Sequence, residues 1–199
     1  MKNLFIAITI ASTTLAACNS AANRSADNKN RDDSNKVENA RTTDTTKSKE
    51  GSSKVVDAMG EMVNQYLNIK NALANDNGET AATAGNAFVV AMGKMKTTTL
   101  TVDKKKAWDN LADDAKEMAE HIGKNADKLE HQREHFDMLS SDMYDMVKVF
   151  GGGQTLYQDF CPMYNNKKGA TWLSETKEIK NPYLGKKMPV CGSVKEEIK

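Results

Sequence analysis

Cysteine is scarce in this sequence, and neither sign of charge is in excess. Three of the 199 residues are cysteine, and 28 Lys and Arg are balanced by 27 Asp and Glu. A balanced chain has no long-range field to attract nucleic acid. Signatures of catalysis are also missing: Phe150–Thr155 is rich in glycine but lacks the Lys-Ser/Thr pair of a phosphate-binding loop. We therefore expect neither a nucleic-acid-binding protein nor an enzyme.

The apolar run near the N-terminus is short. It extends from Leu4 to Ile10, too few residues for a stable membrane-spanning helix. A small-residue stretch follows and ends in Leu15-Ala16-Ala17-Cys18, the pattern of a lipobox. The sequence therefore predicts a lipoprotein signal peptide at 1–17. Lipid such as palmitate on Cys18 would anchor the chain to a membrane of the cell envelope, with the folded part in the periplasm.

Large apolar residues are nearly absent from 18–53, which consists mainly of Asn, Ser, Thr, Lys, Asp and Arg. Such a segment cannot bury enough surface to offset the entropy lost on ordering. We expect a disordered tether there. Residues 54–199 are one domain's worth of chain, and we expect them to form a single helical domain.

Apolar residues in the first part of this domain recur at alternating steps of three and four. The first stripe is Val55, Met59, Met62, Tyr66, Ile69 and Leu73. Three similar stripes follow, and short connections favour an all-α fold, an antiparallel four-helix bundle. Prolines and glycines punctuate the last fifty residues too often for a long helix. We expect an irregular C-terminal segment of short helices, turns or a small hairpin, packed on the bundle through Trp172, Leu173, Ile179, Tyr183 and Val190.

Thiol and thioether groups occur close together twice in the C-terminal segment, as Cys161 with Met163 and Met188 with Cys191. Folded back on one another, these residues would make a four-sulfur site for a soft ion such as Cu(I). The two cysteines would equally well form a disulfide in an oxidising compartment. The sequence leaves both possibilities open.

Two histidines on the predicted fourth helix, His131 and His135, are separated by four residues and can reach one metal ion. Met138 or Met146 on the same strip would add sulfur. The alternative is that both histidines are solvated on a charged helix face. Methionine is enriched, but most methionines lie on apolar stripes where they fill a core.

The C-terminal motifs Cys161-Pro162-Met163 and Asn-Pro-Tyr-x-Gly-x-x-Met-x-x-Cys-Gly over 181–192 resemble those of a bacterial domain-of-unknown-function family. The helical part is also similar, so the resemblance covers about 55–198; the similar residues include Arg133, Phe136, Leu139, Ser140 and Tyr144. Members of this family are envelope lipoproteins, and the domain is also appended to periplasmic adaptor subunits of copper- and silver-type heavy-metal efflux pumps. The resemblance implies a helical envelope domain linked to copper, with efflux-pump components as partners. We therefore expect a lipoprotein that binds a soft metal for buffering or delivery to efflux. The alternative is a structural or protein-interaction lipoprotein with a Cys161–Cys191 disulfide.

Overall fold

The computed structural model describes the backbone of residues 43–199 and the side chains of residues 53–199. The predicted signal peptide, Cys18 and most of the predicted tether lie outside the described residues. Four long helices are present: α1 (Thr43–Ala74), α2 (Gly78–Met92), α3 (Val102–Lys124) and α4 (Leu129–Phe150). Within the described part of the chain, none of the helices has the length and apolar character required to cross a membrane.

The apolar stripe of α1 is buried as its spacing predicts. All six residues of that stripe, from Val55 to Leu73, belong to the core. The helix itself begins earlier than the stripe, at Thr43, inside the segment expected to be a tether. It packs on α2 and also contacts α4, while α2 packs on α3 and α3 on α4. The six methionines spaced three apart, at 59 and 62, 92 and 95, and 143 and 146, are all buried, so they fill the core.

Small residues allow α2 and α3 to approach closely. A Cβ added at Gly85 would lie 2.8 Å from the carbonyl oxygen of Ala119 and 3.1 Å from the nitrogen of Gly123. The start of α2 is fixed by Asn77, whose side-chain oxygen accepts a hydrogen bond from the Thr80 N–H at 3.0 Å. At the other end of the helical part, Gly151 follows α4 with a φ of +86°, a conformation that suits glycine.

The C-terminal segment is more regular than predicted. It forms a three-stranded antiparallel sheet in the order β2-β1-β3, from strands β1 (Leu156–Cys161), β2 (Ala170–Ser174) and β3 (Ser193–Ile198). A single turn, α5 (Tyr164–Lys167), links β1 to β2, and three of its residues have positive φ. The expectation of an all-α fold is therefore wrong in this segment. Val190, expected to pack on the helices, is 74% exposed.

Arg133 of α4 connects the C-terminal segment to the helices. Its Nε donates to the Pro182 carbonyl at 2.9 Å, and its Nη2 donates to the Leu73 carbonyl at 3.1 Å and to Asp76 Oδ1 at 2.5 Å. The side chain is 5% exposed. One buried guanidinium thus joins the end of α1, the start of α4 and the loop before β3.

Buried tyrosines form a second connection between the helices and the sheet. Tyr66 Oη lies 2.8 Å from Ser140 Oγ and accepts a hydrogen bond from the Leu173 N–H at 2.9 Å. Tyr183 donates to the Thr171 carbonyl at 2.5 Å. These bonds satisfy polar groups that the packing removes from water.

Charged groups are buried between α1 and the sheet. Lys70 is fully buried, and its Nζ donates to Glu175 Oε2 at 2.7 Å. Asp159 on β1 is also fully buried, and neither of its carboxyl oxygens has a hydrogen-bond partner among the described residues. Burial raises the pKa of Asp159 to about 7, although the nearby Lys70 lowers it in part. Burial therefore shifts this carboxyl group towards its protonated form.

Candidate metal centre

Three imidazoles converge where α3 and α4 meet. His121 lies near the end of α3, and His131 and His135 lie in the first turns of α4. One ligand atom from each histidine lies within 4.8 Å of the others. The Nε2 atoms of His131 and His135 are 3.1 Å apart. This group, the histidine cluster, is the one set of three or more histidine, cysteine or carboxylate ligands that comes together among the described residues.

The connection between α3 and α4 brings these residues together. The helices are joined by only four residues, at 125–128, so the end of α3 faces the start of α4. Gln132 is buried between them, and its side-chain amide donates to the Ile122 carbonyl at 3.0 Å and to the Gly78 carbonyl at 2.9 Å. Asn125 donates to the His121 carbonyl at 2.8 Å. The bond from Gln132 to Ile122 links the start of α4 to the end of α3, the two segments that carry the imidazoles.

A thioether and two carboxylates surround the histidine cluster. Met118 Sδ lies 3.2 Å from His135 Nδ1. Glu117 Oε1 is 3.8 Å from His121 Nε2, and Glu134 Oε2 is 3.6 Å from His131 Nδ1. The cluster therefore combines nitrogen and sulfur donors with nearby negative charge, a combination that could hold a metal ion.

The electrostatics of the cluster favour a neutral His135. Partial burial lowers the pKa of His135, and the adjacent His121 and His131 lower it further. A neutral imidazole keeps one nitrogen lone pair free, and this is the form that binds metal ions.

The structure brings His131 and His135 together as the sequence predicts, but the sulfur donor near them differs from the expected ones. Met146 is completely buried in the core, and Met138 is 46% exposed, beside Glu134 and Asp137 in another groove. Neither His121 nor Met118 was identified from the sequence. Met118 and His121 are three residues apart near the end of α3. Because the connection is short, that turn lies opposite the first turn of α4, so this spacing could have identified both residues.

The two cysteines of the C-terminal segment lie side by side. Cys161 ends β1, Cys191 precedes β3, and their Sγ atoms are 2.9 Å apart as free thiols. The hydrogen bond to Cys161 raises the pKa of Cys191, and burial raises it further. Asn181 holds this segment, because its side-chain amide donates to the Cys191 carbonyl at 2.6 Å.

The two methionines expected to join these thiols are close to them along the backbone but largely exposed. The Cys191 N–H donates to the Met188 carbonyl at 3.2 Å. The side chains of Met163 and Met188 are 47% and 41% exposed. Met163 lines an open groove of about 450 Å³ together with Glu130 and Tyr164.

The six predicted ligands fall into two groups with different neighbours. His131 and His135 face α3, as their contacts with His121 and Met118 show. On another face of the same helix, Arg133 contacts the loop that leads to Cys191. The histidine cluster and the cysteine pair are therefore two separate candidate sites.

The fold and the histidine cluster define a mainly helical domain with a candidate metal centre on its α3–α4 hairpin. Residues 62–155 match the model of a family described as a protein of unknown function, DUF3347. The matched segment contains all three histidines and Met118, and it ends before Cys161 and Cys191. No curated protein and no solved structure matched this chain.

Proposed function

We propose that this chain is a lipid-anchored protein of the cell envelope whose helical domain binds a soft metal ion, copper as Cu(I), for buffering or for delivery to an efflux system. The observation that carries the proposal is the histidine cluster. Ligand atoms of His121, His131 and His135 lie within 4.8 Å of one another, and a methionine sulfur lies beside His135.

The donor set favours copper over hard cations. Imidazole nitrogen binds copper, zinc and nickel well, whereas Mg²⁺ and Ca²⁺ prefer oxygen ligands. A thioether shifts the preference towards Cu(I), because methionine sulfur is a soft ligand. The cluster is only partly buried, so an ion can enter and leave, as buffering or delivery requires.

The location and the partners belong to the same proposal. The lipobox at Cys18 supports a membrane anchor, and the resemblance to domains appended to efflux adaptors supports a partner among pump components. In this proposal the four long helices form an antiparallel bundle. Contacts between successive helices and between α1 and α4 support that arrangement.

An anaerobic Cu(I) titration against a chromophoric chelator tests the binding. The full chain in detergent, carrying Cys161→Ser and Cys191→Ser so that no thiol binds the ion, should compete for Cu(I). Adding the double substitution His131→Ala/His135→Ala should lower its affinity at least tenfold. Asp145→Ala, on an exposed position of α4, is the matched control and should bind as the parent does. Thermal melts check that each variant is folded. Equal competition by the parent and the double variant would overturn the proposal, as would no competition by the parent.

The cysteine pair favours a second candidate, a structural or protein-interaction lipoprotein stabilised by a Cys161–Cys191 disulfide. Two sulfurs that share a tetrahedral ion with bonds of about 2.3 Å would lie about 3.8 Å apart. The observed separation is 2.9 Å. A disulfide would close a loop between residues 30 apart. That closure would stabilise the fold by between roughly 3 and 4 kcal/mol in the chain-entropy model.

Thiol titration of the unfolded, unreduced chain separates the two candidates at this pair. With Cys18 lipidated, no free thiol is expected if the disulfide forms, and two are expected if both thiols remain available to a metal. Because the histidine cluster lies on another face of α4, copper binding there is compatible with either result.

A further inference from the structure

The neighbours of the imidazole nitrogens in the histidine cluster favour one arrangement of protons. His131 and His135 meet through their Nε2 atoms at 3.1 Å, so one of these nitrogens donates and the other accepts. Glu134 lies 3.6 Å from His131 Nδ1. Its negative charge favours a proton on that nitrogen, since a bare lone pair there would face a carboxylate.

The position of the proton on His131 determines the tautomer of His135. A neutral His131 protonated at Nδ1 has a free lone pair at Nε2, so the proton between the rings belongs to His135 Nε2. His135 is then neutral with a lone pair at Nδ1, and that atom faces Met118 Sδ at 3.2 Å. In this tautomer neither His135 Nδ1 nor the Met118 thioether carries a proton, so no hydrogen bond joins the two atoms.

A metal ion fits between this nitrogen and this sulfur. Bonds of about 2.0 Å to nitrogen and about 2.3 Å to sulfur span 3.2 Å at an angle of roughly 95°. A small movement of the flexible methionine side chain opens that angle towards the tetrahedral value. The remaining positions are open to solvent or to a partner's ligand, because the site is only partly buried.

The other two imidazoles have different roles. The ring of His121 is stacked on that of His135, with centroids 4.3 Å apart and an angle of 19° between the planes. Nearly parallel rings direct their lone pairs along parallel planes and not to one point. His131 contacts His135 edge to face, at 84°, and lies between it and Glu134.

From this arrangement we infer that Cu(I) is bound between His135 Nδ1 and Met118 Sδ, while Glu134 and His131 act as positioning residues that hold the tautomer of His135. The inference rests on the proposed function, and it names the ligands. Hydrogen-bonded outer partners commonly orient metal-binding histidines in this way, and their loss reduces metal affinity.

The affinity test uses the full chain with Cys161→Ser and Cys191→Ser, so that no thiol of the sheet contributes. Met118→Leu keeps the size of the side chain and removes the sulfur, and it should weaken Cu(I) binding at least tenfold. Met138→Leu, exposed on α4, is the matched control and should change it less than twofold. His121→Phe keeps an aromatic ring for stacking and should also change it less than threefold.

X-ray absorption measures the Cu–S distance, which a change in packing alone would not alter. The parent should show a Cu–S distance near about 2.3 Å, and Met118→Leu should lose it while Met138→Leu retains it. Nitrogen NMR of the metal-free protein should place the His135 proton on Nε2, and Glu134→Gln should shift part of the population to Nδ1.

The outcomes separate the inference from the proposed function. If the parent of this test, the chain with Cys161→Ser and Cys191→Ser, does not bind Cu(I), the proposed function fails. If the parent binds Cu(I) and Met118→Leu binds it equally, with no Cu–S distance in either, the histidine cluster still binds copper and the inferred ligand pair is wrong. An effect of His121→Phe as large as that of Met118→Leu would also overturn the assignment.

Discussion

Asp159 gives a quantitative prediction for the pH dependence of stability. Burial raises the pKa of its carboxyl group from 3.8 to about 7 in the folded state. Because the folded state holds this proton more tightly than the unfolded state, the stabilisation is complete below pH 3.8 and is lost as the pH rises through about 7. At about 1.4 kcal/mol per pH unit, the loss amounts to roughly 4 kcal/mol.

Asp159→Asn isolates this contribution, because an amide resembles the protonated acid and does not titrate. The free energy of unfolding of the variant, minus that of the parent, should rise by up to roughly 4 kcal/mol between pH 4 and pH 8. Urea denaturation at several pH values measures both proteins. Asp145→Asn, at an exposed position of α4, is the control, and its difference from the parent should vary by less than about 1 kcal/mol. A difference for Asp159→Asn that stays constant across this range would refute the reasoning.

Three further predictions concern other parts of the chain. Arg133→Ala should reduce the free energy of unfolding by about 3 to 5 kcal/mol, because Asp76 and the carbonyl groups bound by Arg133 lose their buried partner. Lys148→Ala, at an exposed ion pair, should cost less than about 1 kcal/mol, and chemical denaturation compares the two variants. Gly85→Ala should cost about 1 to 3 kcal/mol in the same assay, since its methyl group would collide with the Ala119 carbonyl, and an unchanged midpoint would contradict the close approach of the helices. Cys18→Ala should move the chain from the detergent phase to the aqueous phase, and retention in detergent would disprove the lipobox.

The helices follow from the sequence because their burial has a simple period. Every residue of the predicted α1 stripe is buried, and the glycines after Phe150 end α4 as expected. The sheet is harder to predict for a specific reason. The burial of β1 does not alternate, since Leu156, Asp159 and Cys161 are all buried. Its pairing with β3 also shifts in register between Gln158 and Asp159, where β3 has an extra residue, Lys195. Because the buried residues of β1 include an aspartate and do not alternate along the strand, β1 lacks the two-residue period that identifies strands.

The candidate metal centre was only half visible in the sequence. The four-residue spacing of His131 and His135 on one helix is a local pattern, and the structure places the rings in contact. His121 and Met118 belong to another helix, and their role depends on how the two helices face each other. Helical periodicity identifies a face but not the partner residue across it, and rotation of α3 by one residue would place another side chain there.

The charges on β3 affect how separate copies of the chain meet. This strand lies at one edge of the sheet, where unpaired backbone groups would accept a strand from another molecule. It carries Lys195, Glu196 and Glu197 in succession, and Glu197 is paired with Lys177. An incoming strand would have to displace that ion pair and desolvate the neighbouring charges. The edge is therefore protected against intermolecular β-sheet formation and the aggregation that follows from it.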